Sequence, residues 1–362
     1  MKSPAASLLN DTEKIKSLDA SGMEALLKNF SGQIENAIKI GESFTLPRAL
    51  RAPFDKVLFV GMGGSAIGGD VLRSLLGVES AVPITVLRHY ELPRFVDNKT
   101  LCIFSSYSGN TEETLAAFGE ARKRGFQSLI MTTGGELGKL SERTQTPWVR
   151  IPSGFPPRLA LGYSVFPLLA LFAKLKLCEW DSAGVKETVA LIKSLAVKYG
   201  IAGPENNNPA KQAAASLAGT LVVVYASTGL LECAALRFRN QIEENAKALA
   251  SHHLFPELDH NEILGWQFPK EILARSAVVF LKDAGDHARN LLRMKITQGV
   301  IEKAGVPVLE LTSQGRSPLA RLFSTIYLGD WISYYLALLY GVDPTPVKVI
   351  EFFKKQLAKV PG

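Results

Sequence analysis

Ser105, Ser106, Ser108 and Thr111 put four hydroxyls into seven residues around Gly109-Asn110. The run LCIFSSYSGNTEET reads as an apolar strand ending at these residues, with a helix beginning just after them. Hydroxyls beside the free amides of a helix N-terminus form a cradle for a phosphate monoester. N-capping accounts for one Ser or Thr, but not for four in so short a span. The turn contains no P-loop lysine and no adjacent carboxylate pair for Mg²⁺. A phosphate held this way is a handle, and its binding energy orients chemistry elsewhere on the ligand.

An earlier turn, GMGGSA at 61–66, follows a strand and opens a helix. It satisfies the GxGxxA dinucleotide pattern, but that chemistry needs an acidic residue at the end of the next strand to hold a ribose. Here that strand ends in Arg88-His89-Tyr90, so the expectation is no dinucleotide and no other cofactor. Other residues of useful type lie far apart. Arg158 follows two prolines, Glu243 and Glu244 close an amphipathic helix, and His260 sits in HHLFPELDHNE. Each has a plain structural alternative: a surface salt bridge for Arg158, solvated carboxylates for the glutamates. The His-rich run suggests metal, yet His252 and His253 are adjacent and no HxxxH or HExxH spacing occurs. No metal is expected.

The elements that must position these residues alternate strand and helix. Strands are expected at Val57–Val60, Ile84–Leu87, Leu101–Phe104 and from Ser128, which implies right-handed crossovers and a parallel sheet. A cruder version returns later. LVVVYASTGLLECAALRFR repeats strand, turn and helix, SAVVFLKDAGDHARN parallels the third strand, and VPVLELTS parallels the fourth. The chain thus reads as α/β with two doubly wound parallel-sheet domains from an internal duplication. Only the first copy has well-developed serine- and glycine-rich turns. The expected division is an N-terminal helical arm over 1–52, domains over 53–202 and 203–335, and a C-terminal helical tail over 336–362. The arm reads as two amphipathic helices with Leu26, Leu27, Phe30, Ile34 and Ile38 along one face. GPENNNPAK marks the joint between the domains.

Composition excludes several classes. A 47% hydrophobic and 21% charged chain suits a packed α/β protein rather than a disordered one. The net charge of +7 is spread along the chain without basic runs or interleaved aromatics, so nucleic acid is not expected, while an anionic metabolite is favoured. Cys102, Cys178 and Cys233 lie in apolar stretches with no CxxC, as buried thiols in a reducing compartment would. The start MKSPAASLLNDTEKIK lacks a signal-peptide core, and SVFPLLALFAKLKL is interrupted too early to span a bilayer. A cytoplasmic protein without a membrane partner is expected.

With these residues in view, the sequence resembles the sugar isomerase (SIS) domain. GMGGSAIGGD, PRLALGY, QIEENAK and ELDHNEILGW, in that order, resemble the bifunctional phosphoglucose/phosphomannose isomerases from about Val57 to the last helix. The resemblance implies that Gly64, Ser65, Ser106, Ser108 and Thr111 hold the substrate phosphate. It implies that Arg158 stabilises an enediolate, that Glu244 moves the proton between C1 and C2, and that His260 opens the sugar ring. Lys354 in KVIEFFKKQL would assist ring opening, with Lys355 beside it as the alternative. Thr345 in DPTPVKVI corresponds to the threonine that gives room beside C3 for the mannose reaction. The resemblance further implies a homodimer in which His260 completes the partner's site, acting in carbohydrate metabolism at the level of glycolysis and gluconeogenesis. The residue types agree with that chemistry: a cis-enediol route needs one carboxylate and a donor where oxyanion charge develops. The alternatives are an SIS isomerase of another sugar phosphate, or a regulator that senses a phosphosugar without chemistry.

Overall fold

Two runs of buried β-branched and aromatic residues lay down the central strands, β1 (Lys56–Val60) and β6 (Leu221–Ser227). The computed structural model describes residues 8–47, 50, 53–77, 80 and 82–359. In the first half β1 lies between β2 (Ile84–Leu87) and β3 (Thr100–Ser105), and β4 (Ser128–Thr132) and β5 (Trp148–Arg150) complete a five-stranded sheet. Every pairing is parallel, with Val57 opposite both Ile84 and Leu101 and Cys102 opposite Ser128. The second sheet runs β7 (Ala250–Phe255), β6, β8 (Ser276–Lys282), β9 (Val308–Thr312), again all parallel. The two orders correspond strand for strand, β6 to β1, β7 to β2, β8 to β3 and β9 to β4. The molecule is therefore a duplicated α/β unit, as its sequence indicated.

Helices supply the crossovers. In the first half these are α4 (Gly63–Leu76), α5 (Glu112–Lys123) and α6 (Gly135–Thr144), followed by α7 (Leu161–Lys174) and α8 (Ser182–Tyr199). In the second, α9 (Pro209–Leu217) leads into β6, the crossovers are α10 (Glu232–Gln241), α11 (Lys270–Leu273) and α12 (Ala288–Lys303), and α13 (Pro318–Leu339) and α14 (Lys348–Leu357) follow β9. The joint at Asn208 is a helix start: its Oδ1 accepts from Ala210 N and Lys211 N at 3.0 and 3.2 Å, and Pro209 takes the first helical position.

One hydrophobic cluster joins the halves. It contains Val57, Phe59 and Ile103 from the first sheet and Val222, Val224 and Val279 from the second, with α7 and α13 between them in the same cluster. Among the described residues one helix, α13, is long and apolar enough to cross a membrane, and 94% of its most apolar window is buried inside the protein. Its composition is that of a core helix. Among the described residues the N-terminal segment holds three helices rather than the expected two, α1 (Thr12–Leu18), α2 (Met23–Lys28) and α3 (Phe30–Ser43). A break at Asn29, whose backbone conformation lies outside the α region, divides the expected continuous face. Leu27, Phe30 and Ile34 are buried, and Phe30 stacks on Phe323 and Tyr327 of α13. The expected boundary at 335/336 falls inside α13, which continues to Leu339 because Leu336–Leu338 are still core residues. The first seven residues of the expected arm, its boundary at 52 and the last three residues of the tail lie outside the described residues.

Candidate active site between the two halves

The two turns picked out by sequence meet at the C-terminal ends of β1 and β3, where ligands bind in parallel α/β sheets. Ser65 Oγ accepts from Tyr107 N at 2.9 Å and ties one turn to the other. Ser106 is fully buried; its Oγ is 2.8 Å from Thr111 Oγ1 and accepts from Gly109 N at 3.1 Å. Thr111 stands at the N-cap of α5, yet no side chain caps that helix, nor is α4 capped. Capping therefore does not account for these hydroxyls. The first N–H groups of both helices have no intrahelical acceptor. Gly109 has φ +71°, and a Cβ there would lie 1.9 Å from Gly134 O, so only glycine permits the turn. A Cβ on Gly64 would meet backbone atoms of Pro157 and Arg158 at 2.8 Å, which is how α4 approaches the next part of the site so closely. The end of β2 carries no acid; Arg88 there pairs with the buried Asp70 of α4.

Tyr107 connects this cradle to Arg158. Its hydroxyl donates to Pro152 O at 3.0 Å and accepts from Phe155 N at 2.9 Å, which fixes the loop leading into a short 3₁₀ turn, Pro157–Leu159. Arg158 is 3% exposed and not a surface ion pair. Its Nε donates to Asn245 Oδ1 at 2.6 Å, and its Nη2 donates to Pro344 O and Thr345 O at 2.8 and 2.9 Å. The remaining amino group, Nη1, lies 3.6 Å from Glu244 Oε2. Burial draws this guanidinium below its ordinary value, and the Glu244 charge pulls the other way. Arg237 holds the Arg158 carbonyl at 2.9 Å and clamps buried Asp330 through both Nε and Nη2. An arginine of the first half is thus gripped by residues of the second.

Glu243 and Glu244 lie not on the end of α10 but on a π-turn, Ile242–Ala246, that follows it. Such a one-turn widening re-aims side chains and recurs at functional sites. A cleft of about 260 Å³ has Gly63 of the first turn on one wall and Arg239, Glu243 and Glu244 on the other. A second, of about 750 Å³, is lined by Glu244, Lys247, Leu249, Thr345's neighbour Pro346 and Ile350. Glu244, 27% exposed, borders both. Burial raises the Glu243 carboxyl, opposed by Arg239.

The sequence reading missed two cations here. Lys247 donates to Glu244 O at 2.6 Å and Pro344 O at 2.9 Å, and burial, then Arg158, pushes it down to about 8. Arg239 pairs with Glu243 at 3.9 Å, and among the described residues its buried Nε has no hydrogen-bond partner. A helical wheel of α10 places Arg239 one turn before Glu243, the only signal available. Thr345 is brought to Arg158 through its carbonyl, and its own Oγ1 is buried without a partner.

Two expected residues stay away from Glu244 within one chain. His260 is exposed on a 3₁₀ turn, Glu257–His260, past the end of β7, whereas Glu244 precedes the start of that strand. Six strand residues span about 17 Å. Lys354 and Lys355 are exposed on α14, whose first turn alone reaches the larger cleft. Ser108 is exposed and accepts from Asn110 N at 3.2 Å. The histidines of HHLFPELDHNE separate: His253 Nδ1 is 2.9 Å from Glu262, and His252 is half-buried beside α10, where burial, then Arg239 and His253, push it down to about 4.

Known proteins resemble this chain in sequence and fold. A model of the bacterial phospho-glucose isomerase C-terminal SIS domain matches residues 206–357. The bifunctional phosphoglucose/phosphomannose isomerase of Caldicellulosiruptor bescii is 45% identical over 332 residues, 92% of this chain and 98% of that protein. Its counterpart in Aquifex aeolicus is 37% identical over 310 residues, covering 85% and 92%. The crystal structure of a hypothetical protein from Thermus thermophilus superposes with a TM-score of 0.74 at 19% identity, over 98% of this chain and 94% of that one, a likeness of fold.

Proposed function

The chain belongs to the bifunctional phosphoglucose/phosphomannose isomerase family, and from that premise we propose that it interconverts glucose 6-phosphate, and mannose 6-phosphate, with fructose 6-phosphate through a cis-enediol. One observation carries the proposal. The Arg158 guanidinium faces the Glu244 carboxylate at 3.6 Å beside a cleft that opens onto the phosphate turn at Gly63. A base and an oxyanion stabiliser adjoining a phosphate handle are the groups that proton transfer between neighbouring carbons requires.

In this reading Gly64, Ser65, Ser106, Ser108 and Thr111 bind the phosphate, Glu244 removes the C2 proton of the aldose and returns it to C1, and Arg158 Nη1 stabilises the enediolate oxygen. Three bonds to Asn245, Pro344 and Thr345 hold that guanidinium before substrate arrives, so little reorganisation opposes the transition state. The orphaned Thr345 hydroxyl supports a role at C3, where the intermediate must turn to present either face. His260 would open the ring in the partner's site, with Lys354 assisting. Its exposure, beside exposed Leu264, Phe268 and Ile272, favours a homodimer joined near that turn. The three free thiols suit a cytoplasmic location. A coupled assay on purified protein tests the whole: both aldoses should form from fructose 6-phosphate. Phosphosugar binding without turnover would instead mark a sensor, and turnover of a different sugar phosphate alone a related isomerase.

A further inference from the structure

β8 stands in the second sheet where β3 stands in the first, but the residue after each strand differs. Ser106 follows β3, and Asp283, 3% exposed, follows β8. Asp283 Oδ2 accepts from Gly285 N at 2.8 Å, just as Ser106 Oγ accepts from Gly109 N. Its Oδ1 accepts from Ser313 Oγ at 2.5 Å, just beyond β9, and from Arg321 Nε of α13 at 2.9 Å. One backbone amide, one hydroxyl and one guanidinium therefore converge on a single carboxylate. That is a donor set for an oxyanion, with the arginine supplying charge and the amide supplying direction. The following helix, α12, is also closed: His287 Nδ1 accepts from Arg289 N at 3.2 Å and caps it, whereas α5 after the first cradle has no cap.

We infer that the second half contains an oxyanion site occupied by its own side chain, with Asp283 as a built-in anion that restricts each chain to one phosphate-bearing ligand. Removing the carboxylate leaves Arg321, whose side chain is 18% exposed, without its anion and opens a space beside it. A small tetrahedral oxyanion such as inorganic phosphate restores the charge and accepts from the same three donors. Asp286 is an opposing charge at the turn, its Oδ2 accepting from Asp283 N at 2.9 Å, so the effect should be larger when Asp286 is neutralised as well.

The test compares wild type with Asp283→Ala, Asp283→Ala/Asp286→Asn and Asp283→Ala/Arg321→Met, all as the full chain. Calorimetric titration with inorganic phosphate should give one additional site per chain in the first two variants and none in the third. Thermal unfolding midpoints should rise more with phosphate in Asp283→Ala than in wild type. If Asp283→Ala is unfolded in phosphate-free buffer, recovery of its circular dichroism on adding phosphate supports the inference, and failure of both opened variants to recover overturns it. Folded opened variants with the wild-type stoichiometry also overturn it. The outcome is independent of the proposed reaction, because an extra phosphate site can appear whether or not the wild-type chain isomerises sugars.

Discussion

The ends of β3 and β8 occupy the same place in two sheets of the same strand order, yet one is lined by hydroxyls and the other is filled by a carboxylate. After β3, the Ser106 and Thr111 hydroxyls bond each other, and α5 has no side-chain cap, nor has α4 after β1. After β8, a carboxylate accepts from the donors at hand, and a histidine caps the helix. Strand order brings a helix N-terminus to each sheet end, and a handful of side chains decide whether an anion from outside is wanted there. The second half serves the site differently, by supplying Glu244 and gripping Arg158 through Asn245 and Arg237.

The largest effect on substrate binding should come from crowding each turn in the same way. Gly109→Ala forces a Cβ to within 1.9 Å of Gly134 O at a φ of +71°, so the cradle must rearrange. KM for fructose 6-phosphate should rise roughly 100-fold or more, about 2.7 kcal/mol of lost phosphate binding. Gly285→Ala meets only the side chains of Asp283 and Arg321, at 2.8 and 3.0 Å, and should lower the melting temperature while leaving KM within about twofold. Equal rises in KM would break the distinction between an open and a filled turn.

A smaller effect is expected where the halves join. Thr345 holds Arg158 through its carbonyl, which a substitution preserves, and its buried hydroxyl has no hydrogen-bond partner among the described residues. Wild-type turnover of the two aldoses should agree within roughly tenfold, a barrier difference of about 1.4 kcal/mol. Thr345→Gln should cut the mannose 6-phosphate reaction by a further tenfold or so, with the glucose 6-phosphate reaction changed about threefold or less. Parallel losses in steady-state assays on both sugars would assign Thr345 to support of Arg158 alone.

The smallest concerns β7, the second-half counterpart of β2. His252 on it is held neutral, with burial and then Arg239 pushing it down to about 4. The unfolded chain binds a proton near pH 6.5 that the folded chain refuses until about 4, so stability is lost as pH falls through that window. Allowing for partial exposure, the loss is about 1–2 kcal/mol. His252→Gln should flatten the fall of melting temperature between those pH values; an unchanged slope would exclude His252 as its source.

The sequence was most informative where a feature is local. Four hydroxyls in one turn, and apolar runs spaced by helices, are visible within short windows, and so are the hydroxyl-rich turn and the duplicated sheets. β5 has only three residues and β7 carries two histidines, so neither presents an apolar period strong enough to read. Asn29 divided the N-terminal helices at a residue that the apolar spacing passes over. The Arg237–Asp330 clamp spans 93 positions and the Arg158–Thr345 contact 187, distances over which no pattern in one sequence connects residues. Asp283 was readable only as a departure from serine at the end of a strand. Glu244 and Arg158 were named through family resemblance, and their approach to each other comes from the fold.

The measurement that bears most directly on the account is the turnover number of Glu244→Gln with fructose 6-phosphate, alongside phosphate binding by the same variant. In the proposed mechanism Glu244 is the base and takes no part in phosphate binding, so turnover should fall by about 10²–10⁴-fold while inorganic phosphate binds as in wild type. Near-normal turnover in a folded Glu244→Gln chain would contradict it.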